Sequence, residues 1–299
     1  MCQWCRRGEA GCTRSGTSAV SCTRSKMPRP FLRWVGGKRW LVGEVARLAG
    51  KGGYSRYVEP FLGGGAVFFG LGLSNAVLGD RNEELMNVYA QVRDRPEQLI
   101  RQLKKLEVSR ESFGAVRQDR PKGAVGRAVR FLYLNRTAFS GLYRVNMRGE
   151  YNVPYGGGRR TPEVLWKRRL LEGASEALQG VELVSGDFEK TVDACREGDL
   201  VYCDPTYAGE RPRERFDRYN AEKFTWRDQE RLARSCRLLA ERGCTVIVSN
   251  CADSSVLELY SPHEFVVVER LCRVSANVRH RTRVNEVLMA FRPKGRTGR

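Results

Sequence analysis

The chain predicts an α/β protein with a Rossmann-like mixed sheet, and three stretches carry that expectation. Tyr57-Val58-Glu59 reads as a short strand that runs into Pro60-Phe61-Leu62-Gly63-Gly64-Gly65 and then into an apolar helix from Ala66; this is a strand, a glycine turn and a helix in succession. The next strand, Ala76 to Asp80, ends on an acid twenty-one positions after Glu59, the spacing at which a second-strand carboxylate binds the ribose hydroxyls of a nucleoside cofactor. Farther along, apolar Leu200-Val201-Tyr202-Cys203 ends in Asp204-Pro205-Thr206-Tyr207, at the kind of strand end where open α/β sheets bind ligands.

Residues 1–26 hold Cys2, Cys5, Cys12 and Cys22 among Arg, Ser, Thr and Gly, with no hydrophobic period and no apolar core of a signal peptide. They are expected to be a disordered leader, with metal ligation by the opening Cys-x-x-Cys as the alternative. Pro28 to Lys38 is aromatic and basic, and its Gly36-Gly37 pair opens a helix expected over Trp40 to Leu48. From Glu83 to about Leu106 the period is helical, and Val125, Ala128, Val129 and Leu132 mark another helix, so a helical insert interrupts the alternating strands. It continues into a β-hairpin, Leu142 to Asn146, a Met147-Arg148-Gly149 turn, and Glu150 to Pro154, then a loop of glycines and arginines at 156–160.

Strands resume at Val181 to Val184, followed by Ser185-Gly186-Asp187-Phe188, and at Leu200 to Cys203. Thr225 with Asp228 is a capping-box signature for a helix through Leu232 and Leu239 that stops at Gly243. Thr245 to Ser249, Phe265 to Val268 and Val287 to Phe291 complete the strands, with a basic run between the last two. The expected division is an α/β unit over 27–83 and 171–294, an inserted unit over 84–170, and a tail over 295–299.

The formal charge is +19, and it is unevenly placed. Between Arg101 and Arg169 there are seventeen Lys and Arg against five Asp and Glu, so a polyanion is the natural partner; a uniformly Arg-rich proteome is the alternative. No apolar stretch reaches the ~18 residues a bilayer crossing needs, so no membrane partner and a cytoplasmic, nucleoid-associated place are expected. The cysteines beyond residue 27 sit in apolar patterns as reduced core thiols do. With two histidines in the chain, a His-based zinc site or a His general base is disfavoured, and no metal is expected.

The exocyclic amine of a nucleobase is a poor nucleophile because its lone pair is delocalised into the ring. A carboxylate and a backbone carbonyl accepting its two N–H bonds would localise that pair, and Asp204 and Pro205 can supply them while Tyr207 stacks on the base. The other reading of the tetrapeptide is an Asp-Pro turn followed by a core tyrosine.

The pieces, in this order, resemble the Dam-like (D12 class) DNA adenine-N6 methyltransferases from about Pro28 to Pro293. The most specific matches are Pro30 to Lys38, Glu59 to Gly65, Phe131-Leu132-Tyr133-Leu134-Asn135-Arg136, and Gly141 to Asn146 with Glu150 to Tyr155. The resemblance implies S-adenosylmethionine as methyl donor and no metal. It assigns Trp34, Lys38, Asp80 and Asp204 to the cofactor pocket, with the turn from Phe61 through Gly63 to Gly65 around the methionine portion; Glu59 and Asp187, at neighbouring strand ends, join that set. Asp204, Pro205 and Tyr207 become catalytic, acting on an adenine swung out of duplex DNA. Recognition falls to Arg33, Phe139, Ser140, Leu142, Arg144, Asn146 and Pro154, with Arg144 a candidate for a bidentate guanine contact, Phe139 a wedge and GATC the expected target. A monomer, with a cognate restriction endonuclease as a further partner, completes the expectation.

The chain departs from the family at Thr206, where a second proline is usual, and at Ser140, where an asparagine commonly follows the aromatic. Thr206 leaves open a catalytically impaired DNA-binding relative. The acid-Pro-x-Tyr device also suits RNA or a protein glutamine as substrate.

Overall fold

The computed structural model describes residues 28–50, 53–146, 148–158, 161–206, 224–271 and 283–293. A 3-10 turn at Arg39–Leu41 leads into α1 (Val42–Ala49), followed by β1 (Tyr57–Glu59), α2 (Ala66–Leu71), β2 (Ala76–Asp80) and α3 (Glu83–Asp94). The insert carries α4 (Pro96–Leu103), α5 (Arg110–Gln118), α6 (Ala124–Thr137), α7 (Glu163–Trp166) and α8 (Arg168–Ala177). The chain then forms β3 (Glu182–Ser185), α9 (Phe188–Val192), β4 (Leu200–Cys203), α10 (Trp226–Glu241), β5 (Thr245–Cys251), α11 (Ser254–Tyr260), β6 (Glu264–Leu271) and β7 (Arg283–Phe291).

The strands join in the order β3-β2-β1-β4-β5-β7-β6. The pairs β1 with β2, β1 with β4, β2 with β3 and β4 with β5 are parallel, while β7 runs antiparallel to both β5 and β6. Strand order therefore reverses between β1 and β4, the switch point where crossovers leave to opposite faces and open a crevice at the carboxyl ends. The mixed α/β sheet expected from sequence is the one found.

Period-2 alternation splits the core. Leu200, Tyr202, Ile247, Leu288 and Ala290 face one layer, and Val201, Cys203, Val246, Val248, Val287 and Met289 face the other. The first layer is continuous with the insert, since Leu99, Phe131, Leu134 and Leu165 belong to the same cluster as Leu41, Phe68 and Tyr89. The second layer is closed by α9, α10 and α11 through Phe188, Leu232, Leu239 and Tyr260. On the first side α3 is the common support: Arg127 on α6 pairs with Glu84 at 2.8 Å, and Ser175 on α8 donates to the Arg93 carbonyl at 2.8 Å.

The expected hairpin is reduced to single antiparallel bridges, Val145 with Tyr151 and Ala138 with Tyr155. Side chains do the work a longer ladder would do: Asn146 Oδ1 accepts from the N–H groups of Arg148 and Glu150, each at 2.9 Å. Helices α5, α7, α8, α9 and α11 were not anticipated; of these α7, α9 and α11, at four to seven residues, are too short to show a period.

Candidate functional site

Three acids end three neighbouring strands: Asp80 on β2, Glu59 on β1 and Asp204 just past β4. Glu59 is buried, accepts from the Tyr57 hydroxyl at 2.9 Å, and feels the charges of both Asp204 and Asp80. Burial, followed by those two charges, pushes its carboxyl up to about 8 against the opposing Tyr57 and Phe68 hydrogen bonds, so it is mostly protonated at neutral pH.

The glycine turn is held from below and covered from one side. Asp80 Oδ2 accepts from the Gly63 N–H and Oδ1 from the Asn82 N–H, both at 2.9 Å. Burial pushes the Asp80 carboxyl up, and these backbone donors together with Arg81 pull it back. The Tyr89 hydroxyl donates to the Gly63 carbonyl at 3.1 Å. Trp34 lies across the turn so closely that a Cβ on Gly63 would sit 2.8 Å from the indole Nε1, and one on Gly64 2.7 Å from the Trp34 Cβ. Gly63 and Gly65 also have φ of +49° and +64°, values glycine adopts without the steric cost a Cβ imposes. Behind Trp34 stand two rings of the insert, Phe131 and Tyr143, at centroid distances of 6.5 and 6.4 Å.

Asp204 sits in a network that reaches three other segments. Lys38 Nζ lies 3.0 Å from Asp204 Oδ1 and 3.4 Å from Glu286 Oε2 on β7, with both the ammonium and Glu286 buried. Ser249, near the end of β5, donates to the same Oδ1 at 2.7 Å. Burial pushes the Asp204 carboxyl up, while the Lys38 charge and the Ser249 and Lys38 hydrogen bonds oppose it. Phe61 stacks on Phe188 at 5.5 Å and meets Phe224 edge-on at 5.5 Å, forming an aromatic wall beside the turn.

The residues singled out in the sequence for cofactor binding divide by what the structure does with them. Trp34, Glu59, Gly63, Gly65 and Asp80 meet at the turn, Lys38 and Asp204 meet each other, and Phe61 lines the adjoining wall. Asp187 caps α9 through the Glu189 N–H and pairs with Arg231 at 2.8 Å. Of the catalytic trio, Pro205 follows Asp204 at the strand end, and Tyr207 lies outside the described residues. Sequence reasoning missed Ser249 and Glu286; a polar residue at the end of an apolar strand, as in Thr245-Val246-Ile247-Val248-Ser249, is the signal that could have found the first.

On the recognition side, Phe139 is 56% exposed and Ser140, with φ of +52°, is exposed beside it. Arg33 and Pro154 are also exposed, and the Pro154 carbonyl accepts from the Phe139 N–H at 3.0 Å. Arg144 Nε donates to Asn152 Oδ1 at 2.7 Å, and Leu142 is half-buried against the core. Asn146 is spent on its own turn, since its amide also donates to Glu150 at 2.9 Å. Asn135, fully buried on α6, joins this loop to the amino-terminal segment: it accepts from the Arg33 N–H at 3.0 Å and donates to the carbonyls of Arg33 at 2.7 Å and Gly141 at 3.0 Å.

Among the described residues no group of His, Cys, Asp and Glu is arranged to hold a metal, and no helix is long and apolar enough to cross a membrane.

Residues 34–274 match the family described as D12 class N6 adenine-specific DNA methyltransferase. The chain is 37% identical over 271 residues to the Type II methyltransferase M1.LlaDCHI of Lactococcus lactis subsp. cremoris, covering 87% of this chain and 94% of the relative. It is 34% identical over 244 residues to the Type II methyltransferase M.MjaIII of Methanocaldococcus jannaschii, covering 74% of this chain and 84% of the relative. The DNA adenine methylase of Escherichia coli K12 is 32% identical over 274 residues, covering 90% and 97% respectively.

Proposed function

Because the chain belongs to the D12 class N6 adenine-specific DNA methyltransferases, site-specific enzymes that methylate adenine in DNA, we propose that Asp204 and the Pro205 carbonyl orient the adenine N6 amine for transfer from S-adenosylmethionine. The single observation that carries this reading is the placing of Asp204 one strand away from Glu59, whose strand runs into the glycine turn, and two from Asp80, which pins that turn. The cofactor supplies an electrophilic methyl group on a sulfonium.

The residues present fit that cofactor. The turn's close approach, the Phe61 and Phe188 wall, and an Asp80 carboxylate with lone pairs left for hydroxyl donors suit a nucleoside joined to an amino acid. Lys38 and Ser249 favour the ionised Asp204 against its burial, and an ionised carboxylate is what an N–H donor prefers. Two acceptors on the two N–H bonds draw the nitrogen toward tetrahedral geometry, so alignment and electrostatics carry the reaction. An adenine paired in a duplex points its amine at its partner, so it must leave the stack.

For recognition we propose that Arg33, Phe139, Ser140, Leu142, Arg144, Asn146 and Pro154 meet the duplex, with GATC as the target. Support comes from the exposure of Phe139 and Ser140, the surplus of twelve positive charges between Arg101 and Arg169, and the likeness of this loop to the Dam-like reading segment. A monomer would suffice, since one chain bears both the acid and the loop. A cognate endonuclease is suggested by the Type II names of two relatives. The boundaries 84 and 170 are proposed for the recognition unit, which shares its core with the catalytic part.

The test is incubation with tritiated S-adenosylmethionine and duplexes of varied sequence. Label is expected in adenine of GATC-containing DNA, and Asp204→Ala is expected to abolish it while leaving duplex affinity nearly intact. Label in adenine outside GATC alone would overturn the target, and full turnover by Asp204→Ala would overturn the role of the acid.

A further inference from the structure

The Asp204 carboxylate is held unsymmetrically. Its Oδ1 takes both the Lys38 ammonium at 3.0 Å and the Ser249 hydroxyl at 2.7 Å, while Oδ2 has no partner among the described residues. A hydroxyl carries one hydrogen, and the Ser249 oxygen has three neighbours: Asp204 Oδ1 at 2.7 Å, the Cys203 carbonyl at 3.4 Å and the Tyr202 hydroxyl at 3.0 Å. The carboxylate and the carbonyl can only accept. The short contact to a charged acceptor claims the Ser249 proton, so the Tyr202 hydroxyl must be the donor in its contact with Ser249. The result is a directed chain from phenol to hydroxyl to carboxylate, with Tyr202 and Ser249 both fully buried on β4 and β5.

We infer that Ser249, oriented by Tyr202, is a positioning residue for methyl transfer, pinning Oδ1 of Asp204 so that Oδ2 is the oxygen presented to the adenine amine. The inference rests on the role of Asp204 proposed above. Rotation of a carboxylate about its Cβ–Cγ bond is otherwise soft, and a donor misplaced relative to the amine costs rate through lost alignment. Lys38 is itself steadied from the far side by Glu286 at 3.4 Å, so the two Oδ1 donors arrive from separate segments and fix the plane of the carboxylate between them.

Single-turnover methylation by wild type, Ser249→Ala, Ser249→Thr, Tyr202→Phe and Asp204→Ala, alongside direct binding of S-adenosylmethionine and duplex to each, tests the inference. Loss of a hydrogen bond to a charged group predicts a rate for Ser249→Ala about 10- to 100-fold below wild type at saturating substrates, with both dissociation constants essentially unchanged. Ser249→Thr keeps the hydroxyl and is expected to recover most of the rate. Tyr202→Phe removes only the phenol oxygen and is expected to lose about 3- to 10-fold; should Ser249→Ala fail to fold, this variant decides by the same criterion. Wild-type rates in Ser249→Ala and Tyr202→Phe beside an inactive Asp204→Ala would overturn the positioning role and leave Asp204 in place. Weakened cofactor binding with an unchanged saturated rate would overturn it equally. Undiminished turnover by Asp204→Ala would remove the proposed role of the acid itself.

Discussion

At the scale of single residues, burial changes what Glu59 is. A carboxyl with an ordinary value of 4.5 is pushed up to about 8 in the folded chain, so the native state holds a proton that the unfolded chain releases above pH 4.5. Its contribution to stability is therefore fully present below pH 4.5 and is lost as pH rises through 8. Glu59→Gln is expected to flatten the fall in stability between pH 5 and 8 and to leave the variant the more stable of the two at pH 8.5, as urea unfolding at a series of pH values would show. Arg144 is a half-buried cation on the loop proposed to read DNA. Its Nε is fixed by Asn152, and Arg144→Ala is expected to relax discrimination at one guanine by about 1–3 kcal/mol, read as the ratio of kcat/KM on cognate and singly substituted duplexes. Asn146 has a structural part that residue-level reading did not foresee. With one bridge in place of a ladder, its side chain also serves the turn as scaffolding.

At the scale of elements, the glycine turn and α10 were readable for different reasons. The turn was visible because its glycines stand between a strand and an apolar helix and the next strand ends on an acid; what required it, the indole of Trp34 lying against it, comes from a segment some thirty residues earlier. Gly64→Ala is expected to displace Trp34, weaken S-adenosylmethionine binding in calorimetry and lower stability by about 1–3 kcal/mol, the range for overpacking a close contact. Helix α10 announced itself by its capping box, in which Thr225 and Asp228 each satisfy the other's backbone N–H. Thr225→Ala is expected to cost about 1 kcal/mol, measurable as a shift in urea midpoint with no change in cofactor affinity. Helices α7, α9 and α11 gave no such signal because four to seven residues hold too few turns to show a period.

At the scale of the whole molecule, the charge surplus of the insert and the shared core beneath it act together. Duplex affinity is expected to fall with salt at a log-log slope of about −0.9 per phosphate contacted, and a slope near zero in a fluorescence titration from low to physiological salt would refute an electrostatic footprint on the insert. The insert is also joined to the amino-terminal segment through Asn135, across 102 residues of sequence. Asn135→Ala would strand two carbonyls and an N–H, and is expected to cost at least about 2 kcal/mol and to reduce discrimination between cognate and altered sites.

The sequence by itself determined the class of fold, the acids at the ends of β2, β1 and β4, the glycine turn and the basic insert, because these are local patterns of period, turn chemistry and charge. It did not determine which groups meet. Lys38, Ser249 and Glu286 stand 166, 45 and 82 positions from Asp204 along the chain, yet three of these segments converge on one carboxylate oxygen or on the ammonium that contacts it. Only the strand order, with its reversal between β1 and β4 and β7 laid antiparallel beside β5, brings such distant positions within hydrogen-bonding range.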